Sequence, residues 1–245
     1  MSSKYLGPVK WLGGIALVLF AFALVFPSIS SAILSEETRK QVLVNAVPFF
    51  AAFIGILLLF ALLIVLTAKR YNGRVPSRCH KPIERTMVAG ILFSVFFLFQ
   101  PFSIVPYRYG FLLLLGATLS FILWSHVVPA GSKVDDDLPP LGTRQHLIGL
   151  AATAAVVIGM SLAIINTNIP KEPYGLRDRV WNSYSDERKA ETAAAATADF
   201  NSVETPFIVI FSLFPAAIVY FAVREAVAER RPTALPMPVV AAGRA

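Results

Sequence analysis

Two long apolar arms between Met87 and Ala130 leave this chain few possible folds. They read MVAGILFSVFFLFQPFSIV and GFLLLLGATLSFILWSHVV, they flank a corner at Pro106-Tyr107-Arg108-Tyr109, and neither carries an ionisable side chain before His126. Hydrocarbon offers no water to pair a backbone N–H or C=O. Apolar runs of about 20 residues are therefore stable there as helices that satisfy their own backbone. The hairpin predicts two transmembrane helices, and the same pattern recurs along the chain.

Hydropathy predicts spans at about 11–34, 45–67, 87–106, 109–130, 146–167 and 206–223. The fold class expected is an all-α integral membrane protein, a bundle of six transmembrane helices over residues 1–230. An extracytoplasmic loop at 168–204 is expected between the last two spans, and a Pro- and Ala-rich cytoplasmic tail at 231–245. A composition of 56% hydrophobic residues with a mean hydropathy of +0.65 excludes an ordinary soluble domain. The first run resembles a signal peptide, with a basic start and the small-residue stretch Ser28-Ile29-Ser30-Ser31-Ala32, but an uncleaved anchor bent at Pro27 is the expectation.

The net charge of +7 resides in loops, which points to anionic lipid and the cytoplasm, not to nucleic acid. Residues 69–85, KRYNGRVPSRCHKPIER, hold six Lys and Arg residues and are expected to face inward. With both termini on that side, 14 basic residues lie inside and 8 outside, five of the latter in the 168–204 loop beside seven acidic residues. This is an N-in, C-in arrangement, expected in a prokaryotic plasma membrane.

Local patterns refine the picture. Ala151, Ala155 and Gly159 recur every four residues, a spacing that lets helix backbones approach closely, so the fifth span is expected to be interior. Phe93, Phe96, Phe97, Phe99 and Phe102 are expected to meet lipid or a lipid-like ligand. Gln100-Pro101 predicts a kink. Tyr107, Arg108 and Tyr109 read as an interfacial belt with one snorkelling charge, and Trp11 and Trp124 mark the opposite border. Ser185 to Phe200 reads as a short Ala-rich helix lying on the membrane surface or on another protein. Pro206 suits a helix start, and Pro215 a bend.

The chemistry is sparse. No ionisable residue falls near a span centre, which argues against an autonomous ion pump; Gln100, Asn166, Ser94, Ser120 and Ser161 are the notable polar groups. His126 and His146 fall at the ends of adjacent spans on one face of the membrane, where they are candidate contacts for a quinone carbonyl or a b-type haem. Interfacial histidines without chemistry are the plainer reading. Cys79 is the lone cysteine, which rules out an internal disulfide. Beside His80 in a basic stretch it suggests a reactive thiol, without the partners that acyl transfer needs, and it offers a handle for impermeant labels. Asp135, Asp136 and Asp137 read as a solvated acidic loop. No cofactor motif or metal-ligand spacing is present.

The function expected is that of a non-catalytic subunit of a larger membrane complex, partnered by lipid and other membrane proteins, in an electron-transfer or other energy-converting assembly. One alternative is a small transporter or permease component for an uncharged or lipid-like solute, moving about Pro27, Gln100-Pro101 and Pro215. The other is a quinone- or haem-binding redox subunit that uses His126 and His146.

Overall fold

The computed structural model describes residues 3–101, 103–131 and 138–228. Among these residues every regular element is helical. Six helices are long and apolar enough to cross a membrane, and the chain is a multi-pass, membrane-embedded protein. Asp135 to Asp137, Phe102 and the 231–245 tail lie outside the described residues.

The helices are α1 (Tyr5–Ile33), α2 (Glu36–Arg39), α3 (Val42–Tyr71), α4 (Ser77–Phe99), α5 (Ile104–Ser125), α6 (Thr143–Asn168), α7 (Asp178–Asn182), α8 (Asp186–Asp199) and α9 (Thr205–Ala226). They divide into two compact units, Met1–Val75 with Ile122–Ala130, and Pro76–Phe121 with Gly131–Ala245.

In the first unit α1 and α3 form an antiparallel pair. The Phe20 ring lies over Gly55, where an added Cβ would sit 3.1 Å from it, and Leu62 covers Gly13. Ala16 and Ala51 are buried in the same seam. Lipid is as apolar as leucine, so the pairing relies on this close contact rather than on water exclusion. Residues 72–75 then clasp 127–130: Gly73 N–H donates to Val128 O at 2.9 Å, Val128 N–H to Asn72 Oδ1 at 2.9 Å, and Ala130 N–H to Val75 O at 2.8 Å. Gly73 makes the turn with φ +70°, a conformation open to a residue without Cβ.

The second unit is arranged around α9. Ile208, Ser212 and Ala216, spaced by four, are fully buried along one stripe of that helix. Ser161 of α6 donates to Ser212 Oγ at 3.2 Å, and Thr153 Oγ1 lies 3.4 Å from Ala216 O. Such interhelical bonds stabilise a membrane bundle by about 0.6 kcal/mol each. Phe214 packs on Gly90 of α4, and Gly110 of α5 lies against Phe97 and the Ser94 carbonyl. At one end Tyr109, Phe200 and Ile208 close an apolar cluster with Phe207 and Phe211 beside it.

Several expectations change. The expected corner at Pro106–Tyr109 is helix; the break comes earlier, because Pro101 forces Gln100 into extended backbone (φ −73°, ψ 135°) and α4 stops at Phe99. Gln100 then bonds Ser103 through both amide groups, so this segment ends a helix where a kink was expected. Pro106 sits in the first turn of α5, where its missing N–H would have no intrahelical partner. The basic segment 69–85 is mostly helical, since α3 runs to Tyr71 and α4 begins at Ser77.

The small-residue face of α6 also turns out differently: Ala151, Ala155 and Gly159 are exposed, and the packed face holds Gly149, Thr153 and Ser161. That face carries the Ser161 hydroxyl that bonds Ser212 and the Gly149 site that admits the Tyr220 ring of α9. Phe93, Phe96 and Phe99 point outward as expected, whereas Phe97 turns in to meet Phe207 at 5.4 Å. The Ala-rich helix α8 is no separate surface helix; a π-helical turn at Phe200–Glu204 joins it to α9 in one run from Asp186 to Ala226. At 1.5 Å per residue, those 41 residues exceed a hydrocarbon core of about 30 Å.

Candidate functional site

The second unit carries a polar cluster at each end of its bundle. At the end where α4 and α6 begin and α9 finishes, Arg78 donates from Nε and Nη2 to the two carboxylate oxygens of Glu225, each at 2.9 Å, and from Nη1 to Pro139 O. Arg224 spreads its guanidinium over Tyr220 and Phe221, 5.3 and 5.2 Å from the ring centres, and reaches Arg78 O from Nη2. Tyr220 hydroxyl lies 2.7 Å from His146 Nδ1, and Gly149 leaves room for the tyrosine ring. The network ties α4, α6, α9 and the segment before α6 together. It acts as a clamp.

His146 is thus engaged through Nδ1 within the second unit. His126 belongs to the first unit, follows directly on the last residue of α5, and holds Nδ1 2.7 Å from Ile122 O. His80 is buried, with Nδ1 3.9 Å from Glu84 Oε2. Cys79, weighed as a reactive thiol and expected to be open to impermeant labels, is buried, and Sγ lies 3.4 Å from Phe221 O. Among the described residues, no group of three His, Cys, Asp or Glu side chains could hold a metal ion.

At the opposite end of the same unit, Arg108 pairs with Glu204 through Nη2 and lies over the Tyr109 ring, 5.0 Å from its centre. Tyr109 donates its hydroxyl to Glu204 Oε1 at 3.0 Å. Helical spacing makes this possible: Arg108 and Tyr109 occupy the second turn of α5, and Glu204 ends the π turn that leads into α9. The expected aromatic belt therefore splits. Tyr107 is exposed, whereas Tyr109 is core with a hydroxyl that needs Glu204. Next to this triad opens a cavity of about 410 Å³ lined by Arg108, Tyr109, Leu112, Ile164, Asn168 and Phe211.

Neither Glu204 nor Glu225 stands out in the sequence as a site residue. The available signal was charge matching: Arg108 and Glu204 border apolar spans at one end of the bundle, and Arg78 and Glu225 do so at the other. Compared with known protein families, with characterised proteins and with solved structures, the chain has no match.

Proposed function

We propose that this chain is a non-catalytic integral membrane subunit of a larger complex, in an electron-transfer or other energy-converting assembly of a prokaryotic plasma membrane. Its partners are lipid and other membrane proteins, and both termini lie in the cytoplasm. The excess of basic residues on that side supports the orientation.

The observation that carries the reading is the outward face of α6. Ala151, Ala155, Gly159 and Ala163 lie on one exposed line, and among the described residues nothing comes within 4 Å of a Cβ placed at Gly159. In a bilayer, a stripe of small residues is the surface that lets a second helix approach to backbone distance. The contacts between α6 and α9 leave that stripe unused.

The test is purification through a tag in mild detergent, with mass spectrometry and a visible spectrum of what accompanies the chain. Stoichiometric membrane partners, with haem or iron–sulfur absorbance, are expected. Replacement of Ala155 and Gly159 by leucine releases those partners and leaves the chain folded. A colourless protein that runs alone sinks the reading.

A second reading, a permease component for an uncharged or lipid-like solute, draws on the open cavity beside Arg108. Solute uptake by liposomes holding only this chain would favour it. The third, a quinone- or haem-binding redox subunit, is removed if His126→Ala with His146→Ala leaves the spectrum and activity of the purified assembly unchanged.

A further inference from the structure

The cavity of the second unit combines a polar rim with an apolar wall, and its free hydrogen-bonding groups can be counted. Arg108 uses Nη2 on Glu204 and on the Tyr109 hydroxyl, which leaves the Nε and Nη1 hydrogens as donors. Asn168 donates Nδ2–H to Ile164 O at 2.8 Å, which leaves Oδ1 as an acceptor. A molecule that satisfies both must carry an acceptor and a donor.

Charge and depth narrow its class. The positive charge of Arg108 is already met by Glu204, so an anionic head would set a second negative charge beside that carboxylate. Arg108 lies in the second turn of α5, and Asn168 is the last residue of α6, so both belong to the border of the apolar layer. Leu112, one turn further along α5, and Phe211, in the second turn of α9, continue the wall toward the interior. The volume of about 410 Å³ falls within the range of about 300–1,000 Å³ usual for small-molecule sites.

We propose that the cavity between α5, α6 and α9 seats the head of an uncharged glycerolipid, its ester carbonyl accepting from Arg108, its free hydroxyl donating to Asn168 Oδ1, and its acyl chain lying along Leu112 and Phe211. The site is independent of the subunit reading above.

The test uses the purified full chain in detergent and 1,2-dioctanoylglycerol carrying a diazirine in one acyl chain. Photolabelling is expected on the peptides that hold Leu112 and Phe211. Unlabelled dioctanoylglycerol competes, and dioctanoyl phosphatidic acid, with the same tails and a charged head, competes at least about tenfold less well, a gap of about 1.4 kcal/mol. Leu112→Trp fills the cavity and abolishes the label. Asn168→Leu weakens it about threefold to tenfold, the share of one hydrogen bond. Because Asn168 is exposed, that variant keeps the fold and decides the matter even if Leu112→Trp does not fold. Label spread evenly over outward residues such as Leu24 and Phe99, equal competition by phosphatidic acid, or an unchanged label in Asn168→Leu overturns the assignment.

Discussion

Arg78 holds Glu225 through two parallel hydrogen bonds of 2.9 Å, although 147 positions of chain separate them. Their side chains are 24% and 11% exposed, so each charge depends on the other more than on water. Removing one partner leaves a partly buried charge unmatched, at a cost of about 3 kcal/mol. Arg78→Ala and Glu225→Ala are each expected to lower the melting temperature in detergent. The pair Arg78→Met with Glu225→Leu is expected to melt above either single variant, because it removes both charges and adds apolar contact. A melting curve for Glu225→Ala that overlays the parent would show that the bridge contributes nothing.

Glycines offer a graded test of packing in the second unit. A Cβ at Gly110 would sit 2.7 Å from the Phe97 Cβ, and one at Gly90 2.8 Å from the Phe214 ring, whereas one at Gly116 meets nothing within 4 Å among the described residues. Gly110→Ala should cost about 1–3 kcal/mol, because Cβ against Cβ leaves no flexible end to move. Gly90→Ala should cost less, since the Phe214 ring can swing. Gly116→Ala should be neutral or slightly stabilising, as alanine favours helix by about 1 kcal/mol over glycine. Melting temperatures that fail to follow this order would mean that the helices do not pack as described.

What could be read from the residues divides along physical lines. Six apolar helices follow from hydropathy, because lipid imposes one backbone solution on any long apolar run. Helix rotation does not follow, since a segment apolar all round carries no preferred face. Ala151 and Ala155 show the consequence: their spacing suggested an inner face, and the contacts of Thr153 and Ser161 with α9 turned them outward. Tyr109 illustrates the same limit, for an aromatic at a helix start suits a membrane border equally well until a carboxylate from another helix meets its hydroxyl. Glu204 and Glu225 were hidden because pairing across 95 and 147 residues leaves no local pattern.

The buried thiol changes how orientation should be tested. Cys79 is 4% exposed and contacts Phe221 O, so a maleimide should label it slowly on either side of the membrane until the chain is unfolded. An exposed probe is available at Arg74, in the turn between α3 and α4. In a Cys79→Ser, Arg74→Cys chain, an impermeant reagent should label only after the cells are opened. Labelling in intact cells would invert the proposed orientation, and rapid labelling of native Cys79 would contradict its burial.

Phe200 joins the Ala-rich helix to the membrane bundle. It is 5% exposed and packs with Tyr109 and Ile208, whereas no residue of α8 itself is buried. Phe200→Ala should therefore lower global stability by about 3–5 kcal/mol, as large cavities under an aromatic side chain do. Ala195→Pro breaks the helix locally, at about 3 kcal/mol for an interior proline, at a position whose own side chain is exposed. It should raise protease cleavage within residues 186–199 and leave the melting of α9 and its neighbours nearly unchanged. If Ala195→Pro lowers the global melting temperature as far as Phe200→Ala does, α8 is part of the cooperative core and its exposed faces must be covered in the native membrane.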